Sequence, residues 1–174
     1  MRAFRYLAIV AALALSGCGW LADKRYDYPK WGFSVVFPEP PKIEEEAATP
    51  EHVASFEAKL DSDDRQIKSV MVVDTAPGET LDSIGKDHSA RIAAAIQGDA
   101  GAPTVVTTPE GVVGREIRFR YNGRPVFITR YFLVGRRLYE LDASAVDGLD
   151  DPFTTSFLNS FRLTRGAPAA ANAI

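Results

Sequence analysis

The stretch Glu116-Ile117-Arg118-Phe119-Arg120-Tyr121-Asn122-Gly123 decides the fold, because it joins an alternating strand pattern to a tight-turn dipeptide. Apolar side chains stand at every second position, which is typical of a strand with one buried face. The Asn-Gly pair favours the two-residue turn of an antiparallel hairpin. A second glycine turn, at Gly135-Arg136, separates residues 126–134 from residues 137–144. The sequence therefore predicts three successive antiparallel strands.

Further strands are predicted upstream of this hairpin. Residues 33–37, Phe-Ser-Val-Val-Phe, end at a proline, which cannot continue a strand ladder. Residues 54–60 alternate between apolar and polar side chains, whereas residues 67–73 are apolar on both faces and indicate an inner strand covered on both sides. The segment Asp61-Ser62-Asp63-Asp64 is predicted to close the hairpin between them. The acidic run Glu44-Glu45-Glu46 is predicted to lie in a solvated loop.

Two helices complete the predicted elements. Thr80 is a preferred N-cap residue and Gly98 a preferred helix stop, so a long helix is expected between them. Its apolar face is a stripe at helical spacing that includes one histidine: Leu81, Ile84, His88, Ile92 and Ile96. A short helix should begin at Asp151-Pro152 and bury Phe153 and Phe157. These elements predict an α+β fold with a central antiparallel β-sheet.

The N-terminus predicts a lipid anchor. Residues 1–5 carry two arginines, residues 6–15 are almost entirely apolar, and Leu15-Ser16-Gly17 leads into Cys18, the only cysteine. These zones are those of a secretory signal peptide, and the small residues before Cys18 form a lipobox. An ordinary signal needs no cysteine, an uncleaved span needs about 20 apolar residues, and a buried structural cysteine would not precede the domain. We therefore predict cleavage before Cys18 and acylation of its thiol.

The domain organisation follows from this reading. Residues 1–17 are assigned as the signal peptide and residues 18–25 as a lipidated tether. Residues 26–164 are long enough to bury an independent core and are predicted to form a single domain. Residues 165–174, rich in alanine with no periodic apolar face, are predicted to be a disordered tail.

Several short motifs resemble the PsbP-like group, which includes small bacterial DcrB-type lipoproteins. The residues that carry the resemblance are Gly32-Phe33-Ser34-Val35-Val36-Phe37-Pro38 with Pro41, Arg137-Leu138-Tyr139-Glu140-Leu141 and Phe157-Leu158-Asn159-Ser160-Phe161-Arg162-Leu163. The resemblance spans nearly the whole domain and implies an α-β-α sandwich, a central antiparallel sheet flanked by helices. That fold is used by a photosystem extrinsic subunit and by a Ran-binding import factor, both non-catalytic partners of larger machinery. The matching residues are packing and turn types, so no functional residue is carried over.

The net charge of the chain limits the classes of partner that the sequence supports. The chain has 20 basic and 23 acidic side chains; loss of Arg2 and Arg5 with the signal leaves 18 basic ones and a net charge of −5. No block of lysine and arginine remains to hold nucleic acid, so membrane attachment is predicted to depend on the lipid at Cys18. The residue after Cys18 is Gly19 and not the aspartate of an inner-membrane retention signal. We therefore expect a periplasm-facing protein of the outer membrane.

The sequence predicts no catalytic residue, cofactor or metal site. Zinc sites gather three or four ligands, whereas this chain offers two histidines, with His88 on the apolar stripe as a core residue and His52 without a nearby ligand. Aspartates cluster at two predicted turns without the spacing of a calcium loop: Asp61, Asp63 and Asp64, and Asp147, Asp150 and Asp151. Nucleophile-elbow and phosphate-loop motifs are also absent. This pattern lowers the expectation of an enzyme.

Arginines mark the one predicted contact surface. Arg118, Arg120 and Arg124 lie on or next to the Asn-Gly hairpin and are candidates to bind an anionic partner, such as a lipid headgroup or an acidic protein surface. The alternative is a solvated sheet face whose charge is balanced by Glu116 and Glu140.

The resulting functional prediction is a lipid-anchored envelope protein that acts as a non-catalytic accessory or binding module for an envelope protein partner. One alternative is a carrier of a small ligand or lipid, with a pocket between the sheet and the long helix. The other is a hydrolase whose paired carboxylates meet only in the fold.

Overall fold

The structure is a computed structural model that describes residues 24–49, 53–62, 66–145, 149 and 152–164. Its strands are β1 (Lys24–Tyr28), β2 (Phe33–Phe37), β3 (Lys42–Glu46), β4 (Ser55–Ser62), β5 (Gln66–Asp74), β6 (Asp99–Ala100), β7 (Thr104–Thr107), β8 (Val113–Tyr121), β9 (Arg124–Val134), β10 (Arg137–Ala145) and β11 (Arg162–Leu163). Its helices are α1 (Leu81–Ile96) and α2 (Pro152–Ser160). The predicted α+β class with antiparallel strands is confirmed.

A larger sheet forms the centre of the domain. Its strand order is β3-β4-β5-β10-β9-β8-β6, with β7 also paired to β8, and every pair is antiparallel. The predicted succession β8-β9-β10 is confirmed, and positive φ angles at Asn122 (50°), Gly123 (75°) and Gly135 (64°) form its turns. The predicted inner strand is β5, which lies between β4 and β10. Its pairing with β10 joins two parts of the sheet that are far apart in sequence.

A second sheet of three strands, in the order β1-β2-β11, lies over one face of the larger sheet. Phe33 of β2 is fully buried, and its ring packs on Phe161 with centroids 5.7 Å apart and on Tyr139 of β10 at 6.1 Å. Helix α2 adds Phe157, whose ring lies 5.3 Å from that of Phe37. This aromatic core joins the two sheets and α2 into one packed unit. The sequence did not predict the second sheet, because β1 and β11 are short and polar.

Helix α1 packs on the opposite face of the larger sheet. The predicted cap is confirmed, because Thr80 Oγ1 accepts from the Ser83 backbone N–H at 3.2 Å and Ser83 Oγ accepts from the Thr80 N–H at 3.0 Å. The predicted stripe packs on Ile117, Phe119, Tyr131 and Leu138. The helix ends at Ile96, and the left-handed residue is Gln97 (φ 53°). Gly98 instead lies where the chain passes close to the backbone of β8, because a Cβ there would be 2.1 Å from the Arg120 carbonyl oxygen.

Three sequence predictions differ from the structure. Glu44, Glu45 and Glu46 lie in the edge strand β3 and not in a loop, because an edge strand paired on one side can leave its carboxylates in water. Phe153 is 52% exposed, with Lys68 Nζ 5.8 Å from its ring centroid, and only Phe157 of the predicted pair is buried. The first strand begins at Lys24, within the segment assigned as tether.

Other predictions fall outside the described residues. These are the signal peptide 1–17, Cys18 and the tether before Lys24, the tail from residue 165, and His52, Asp63, Asp64, Asp147, Asp150 and Asp151. Within the part of the chain that the structure describes, neither helix is long and apolar enough to cross a membrane.

Candidate functional site

A cluster of polar side chains lies between the larger sheet and α1. Strand alternation on β10 turns Tyr139, Leu141 and Ala143 into the aromatic core and leaves Glu140 and Asp142 on the α1 side. The register places Tyr131 opposite Glu140 and Thr129 opposite Asp142. Helix α1 supplies His88 from its apolar stripe. The β9–β10 hairpin and the distant helix α1 therefore bring two carboxyls, a hydroxyl, a phenol and an imidazole together.

The distances within this cluster are short. Thr129 Oγ1 donates to Asp142 Oδ1 at 2.6 Å, and His88 Nδ1 lies 2.9 Å from Glu140 Oε2. The His88 ring also packs on the Tyr131 ring, with centroids 5.4 Å apart. The core position predicted for His88 is thus correct for its packing, but the histidine also contacts a carboxyl. Glu140 is 2% exposed and does not balance surface arginines.

Burial shifts the proton equilibria of the two carboxyls upward. Loss of hydration raises the pKa of Glu140 to about 7; a hydrogen bond with Asp142 and the charge of Arg91 oppose this rise, and Glu57 adds to it. The pKa of Asp142 is well above its ordinary value, first because of burial and then because of the neighbouring Glu140 charge. The two carboxyls therefore retain a proton under conditions in which surface carboxylates are ionised.

The imidazole and the phenol are also held in their neutral forms. Burial lowers the pKa of His88, and the nearby Arg91 charge lowers it further, while Asp142 acts in the opposite direction. Burial raises the pKa of Tyr131, and the Glu140 charge adds to this effect. Burial therefore favours the uncharged forms of both the His88 imidazole and the Tyr131 phenol.

Two atoms of the cluster lack hydrogen-bond partners among the described residues. They are Glu140 Oε2 and the Tyr131 hydroxyl. The 2.9 Å contact of Oε2 with His88 Nδ1 has the distance of an ion pair without the alignment of a hydrogen bond. Buried polar atoms without partners are uncommon and costly, so Glu140 Oε2 is the atom of the cluster best placed to bind something else.

A groove of about 550 Å³ runs beside α1 over the β5–β10 side of the sheet. Glu140 and His88 line its floor, while Met71 and Val73 of β5 form an apolar wall that α1 leaves uncovered. The sequence predicted that β5 is covered on both faces; it is covered on the aromatic side, where Val70 and Val72 are fully buried, and borders the groove on the other. The volume is within the range of small-molecule sites.

The carboxyl pair can exchange protons, but its spacing does not match that of a glycoside hydrolase. Glu140 and Asp142 are hydrogen-bonded neighbours, whereas the two carboxyls of glycoside hydrolases stand about 5 Å or more apart with the reacting bond between them. Only Glu140 lines the groove, and Asp142 is tied to Thr129 beneath it. A substrate or water in the groove would therefore meet one carboxyl. Among the described residues, no group of three or more His, Cys, Asp or Glu side chains is placed to hold a metal ion.

The predicted arginines lie elsewhere, at the far edge of the larger sheet. Arg118 Nε donates to Glu116 Oε1 at 2.9 Å, and Arg130 Nε donates to Glu116 Oε2 at 2.6 Å, so the balancing role predicted for Glu116 matches its contacts. Arg120 and Arg124 are exposed. The anion-binding hypothesis for Arg118, Arg120 and Arg124 stays a prediction, with Arg118 already engaged by a carboxylate.

Comparison with known structures identifies the class of fold. The chain is similar to the solution structure of cyanobacterial PsbP (CyanoP) from Synechocystis sp. PCC 6803, with a TM-score of 0.57 and 16% sequence identity. The match covers 84% of this chain and 95% of that chain. No protein-family model and no curated protein matches the sequence. The fold is therefore PsbP-like, as predicted, and the DcrB-type grouping stays a prediction.

Sequence reasoning missed the cluster and the groove. The available signal was Glu140 and Asp142 at alternate positions of a strand whose other positions are apolar, together with His88 on an apolar stripe. Polar residues repeated on one face of a central strand indicate either solvent or a buried site. The choice depends on where α1 packs, and that contact joins residues about fifty positions apart.

Proposed function

We propose that this protein is a lipid-anchored cell-envelope protein whose PsbP-like domain acts as a non-catalytic binding module. The observation that carries the proposal is the open groove beside α1, which presents apolar side chains and a single buried carboxyl, that of Glu140. The N-terminal lipobox ending at Cys18 supports the anchor. The resemblance to non-catalytic PsbP-like proteins supports the accessory role.

The proposed location is the periplasmic side of the outer membrane. Gly19 follows the acylated cysteine, and five residues separate Cys18 from the first strand at Lys24. A five-residue chain reaches at most about 18 Å, so the β1–β2–β11 sheet would stay close to the bilayer surface. An envelope protein partner would then meet the domain at the membrane.

The finer architecture belongs to the same proposal. Helix α1 on one face of the larger sheet, and α2 with the small sheet on the other, correspond to the α-β-α sandwich that the resemblance implies. This arrangement supports a module in which the membrane-side sheet is structural and the α1 side carries the binding surface.

Fractionation and crosslinking test the proposal. Tagged full-length protein is expressed beside a Cys18→Ala variant and a form exported by a signal without a lipobox. We expect the mature wild-type chain to begin at an acylated Cys18 and to fractionate with the outer membrane, and both controls to lose that attachment. Affinity purification after crosslinking of native membranes should enrich an envelope protein with the anchored form alone.

The intact mass of the mature chain tests the lipid anchor, and the enrichment of a partner tests the accessory role. A mature chain that starts elsewhere than Cys18 contradicts the anchor. An acylated protein that enriches no protein over the controls contradicts the accessory role and favours the ligand carrier.

A further inference from the structure

Glu140 presents the groove with an acceptor that the protein itself does not satisfy. Its side chain is 3% exposed and lines the groove, and Oε2 makes no hydrogen bond among the described residues, although His88 Nδ1 lies 2.9 Å away without the alignment of one. Leaving such an oxygen buried without a donor is unfavourable. A donor that enters from the groove would remove this penalty, and a cationic donor would also compensate the charge of the ionised carboxylate.

The groove favours positive charge. Its lining includes four acidic residues, Asp74, Glu79, Asp87 and Glu140, against one arginine, Arg91. Arg137 Nε donates to Asp74 Oδ1 at 3.1 Å and offsets that charge in part. Glu79 and Asp87 are exposed at the rim. An anion would meet this acidic rim before reaching the floor, whereas a cation would be attracted to it.

The walls of the groove favour an apolar body behind that charge. Met71 and Val73 of β5, Ile84 of α1 and Leu138 of β10 line it. These side chains lie around a space of about 550 Å³, which suits a small molecule and not a folded element. The ligand that matches both charge and lining has an apolar part and a positively charged donor.

We infer that the groove binds a small organic cation, an ammonium group on an apolar body, with the Glu140 carboxylate as its counter-ion. The inference rests on the proposed binding function and names its ligand class. The ammonium donates to Glu140 Oε2 at the floor, and the apolar part lies against Met71 and Val73. His88 lies beside Glu140 on the groove floor, with Nδ1 2.9 Å from Oε2, and its ring packs on Tyr131.

Binding of this kind depends on pH. The groups that face Glu140 are His88 and Arg91 from α1, Thr129 and Tyr131 from β9, Glu57 from β4 and Asp142 from its own strand. Burial raises the pKa of Glu140 to about 7, so the carboxylate is mostly protonated at pH 5.5 and mostly ionised at pH 8. Affinity for an ammonium should rise at least tenfold over this range.

Calorimetric titration of the mature lipidated protein in nanodiscs of neutral lipid tests the inference, with empty nanodiscs as the baseline. The probes are hexylamine, hexanol and hexanoate, which share a chain length and differ in charge. At pH 8 we expect hexylamine to bind at least tenfold more tightly than either control. Glu140→Gln should weaken hexylamine at least tenfold while far-ultraviolet circular dichroism is unchanged.

A second pair of variants covers the case in which Glu140→Gln does not fold. Glu79→Lys reverses a charge at the exposed rim and should weaken hexylamine several-fold, whereas Glu39→Lys reverses an exposed charge outside the groove and should leave it unchanged. Equal binding of hexanol and hexylamine, equal effects of Glu79→Lys and Glu39→Lys, or affinity that does not rise between pH 5.5 and pH 8 would overturn the inference.

The result is separable from the proposed function. If hexylamine does not bind but the anchored protein still enriches its envelope partner, the ligand class is wrong and the accessory role stands. If hexylamine binds as expected and no partner is enriched, the groove is a carrier site and the accessory role is wrong.

Discussion

The two faces of the larger sheet differ in what they bury. The face toward the small sheet is closed by aromatic rings, among them Phe33, Phe56, Tyr139 and Phe161. The face toward α1 is covered over β8–β10 by aliphatic residues and left open over β5, with Glu140 and Asp142 at the boundary. A helix of 16 residues is too narrow to cover a sheet of this width. The difference shows one closed aromatic face and one face where buried carboxyls lie beside an open groove.

The largest expected effect is loss of the aromatic core by Phe33→Ala. Phe33 is fully buried in contact with several rings, so the cavity should lower the free energy of unfolding by about 3–5 kcal/mol. Chemical denaturation of the variant measures this value. Phe153→Ala is the matched control, because that ring is 52% exposed and should cost less than about 1 kcal/mol. Equal losses would remove the distinction between closed and open packing.

The second effect is the pH dependence that Glu140 brings to the open face. Its folded pKa of about 7 is above the ordinary value of 4.5, so the folded state keeps a proton that the unfolded chain releases. The free energy of unfolding should therefore fall by about 3 kcal/mol as pH rises from 4.5 to 7, and Glu140 should change it no further above pH 7. Asp142 acts in the same direction, while His88, whose pKa is lowered, acts in the opposite one.

Comparison with Glu140→Gln isolates the contribution of this one group. The variant should gain stability relative to the wild type between pH 4.5 and 7, as measured by urea unfolding at a series of pH values. A constant difference across that range would mean that Glu140 titrates normally.

A smaller effect is expected at Gly85, the buried residue of α1. A Cβ there would meet Ile117 Cδ1 at 3.8 Å, an ordinary contact, so the α1 side has room for a methyl group. Gly85→Ala should raise the free energy of unfolding by about 1 kcal/mol through helix propensity. Gly114→Ala is the contrasting variant, since its Cβ would lie 2.2 Å from the Tyr131 carbonyl oxygen and should destabilise. Thermal unfolding of both variants would show whether α1 is loosely packed.

The smallest effect on stability is expected from Arg120→Glu and Arg124→Glu at the exposed hairpin. Each should change the free energy of unfolding by less than about 0.5 kcal/mol. If these arginines bind an anionic partner, each reversal should reduce cosedimentation with anionic lipid vesicles, and Lys86→Glu should not. Unchanged cosedimentation of all three would support a solvated face.

The parts of the fold that sequence predicts are those with local signals. Asn122-Gly123 defines the β8–β9 hairpin, because its two positive φ angles suit few other residue pairs. The pairing of β5 with β10 has no local signal, and the three glutamates of β3 look like a loop although they lie on a sheet edge. The candidate site is hidden for the same reason. Its histidine and its carboxyls meet only when α1 packs on the sheet.

The edge strand β3 would matter most if the proposed anchor confines the protein to a membrane surface. Anchored molecules share two dimensions, where encounters between copies are frequent and an open strand invites another to extend its ladder. All of β3 is exposed, and its three glutamates give it a negative charge that is partly offset by Lys42, which contacts Glu44 at 2.6 Å, and by Lys30, which contacts Glu45. The remaining negative charge would disfavour edge-to-edge pairing of two such strands.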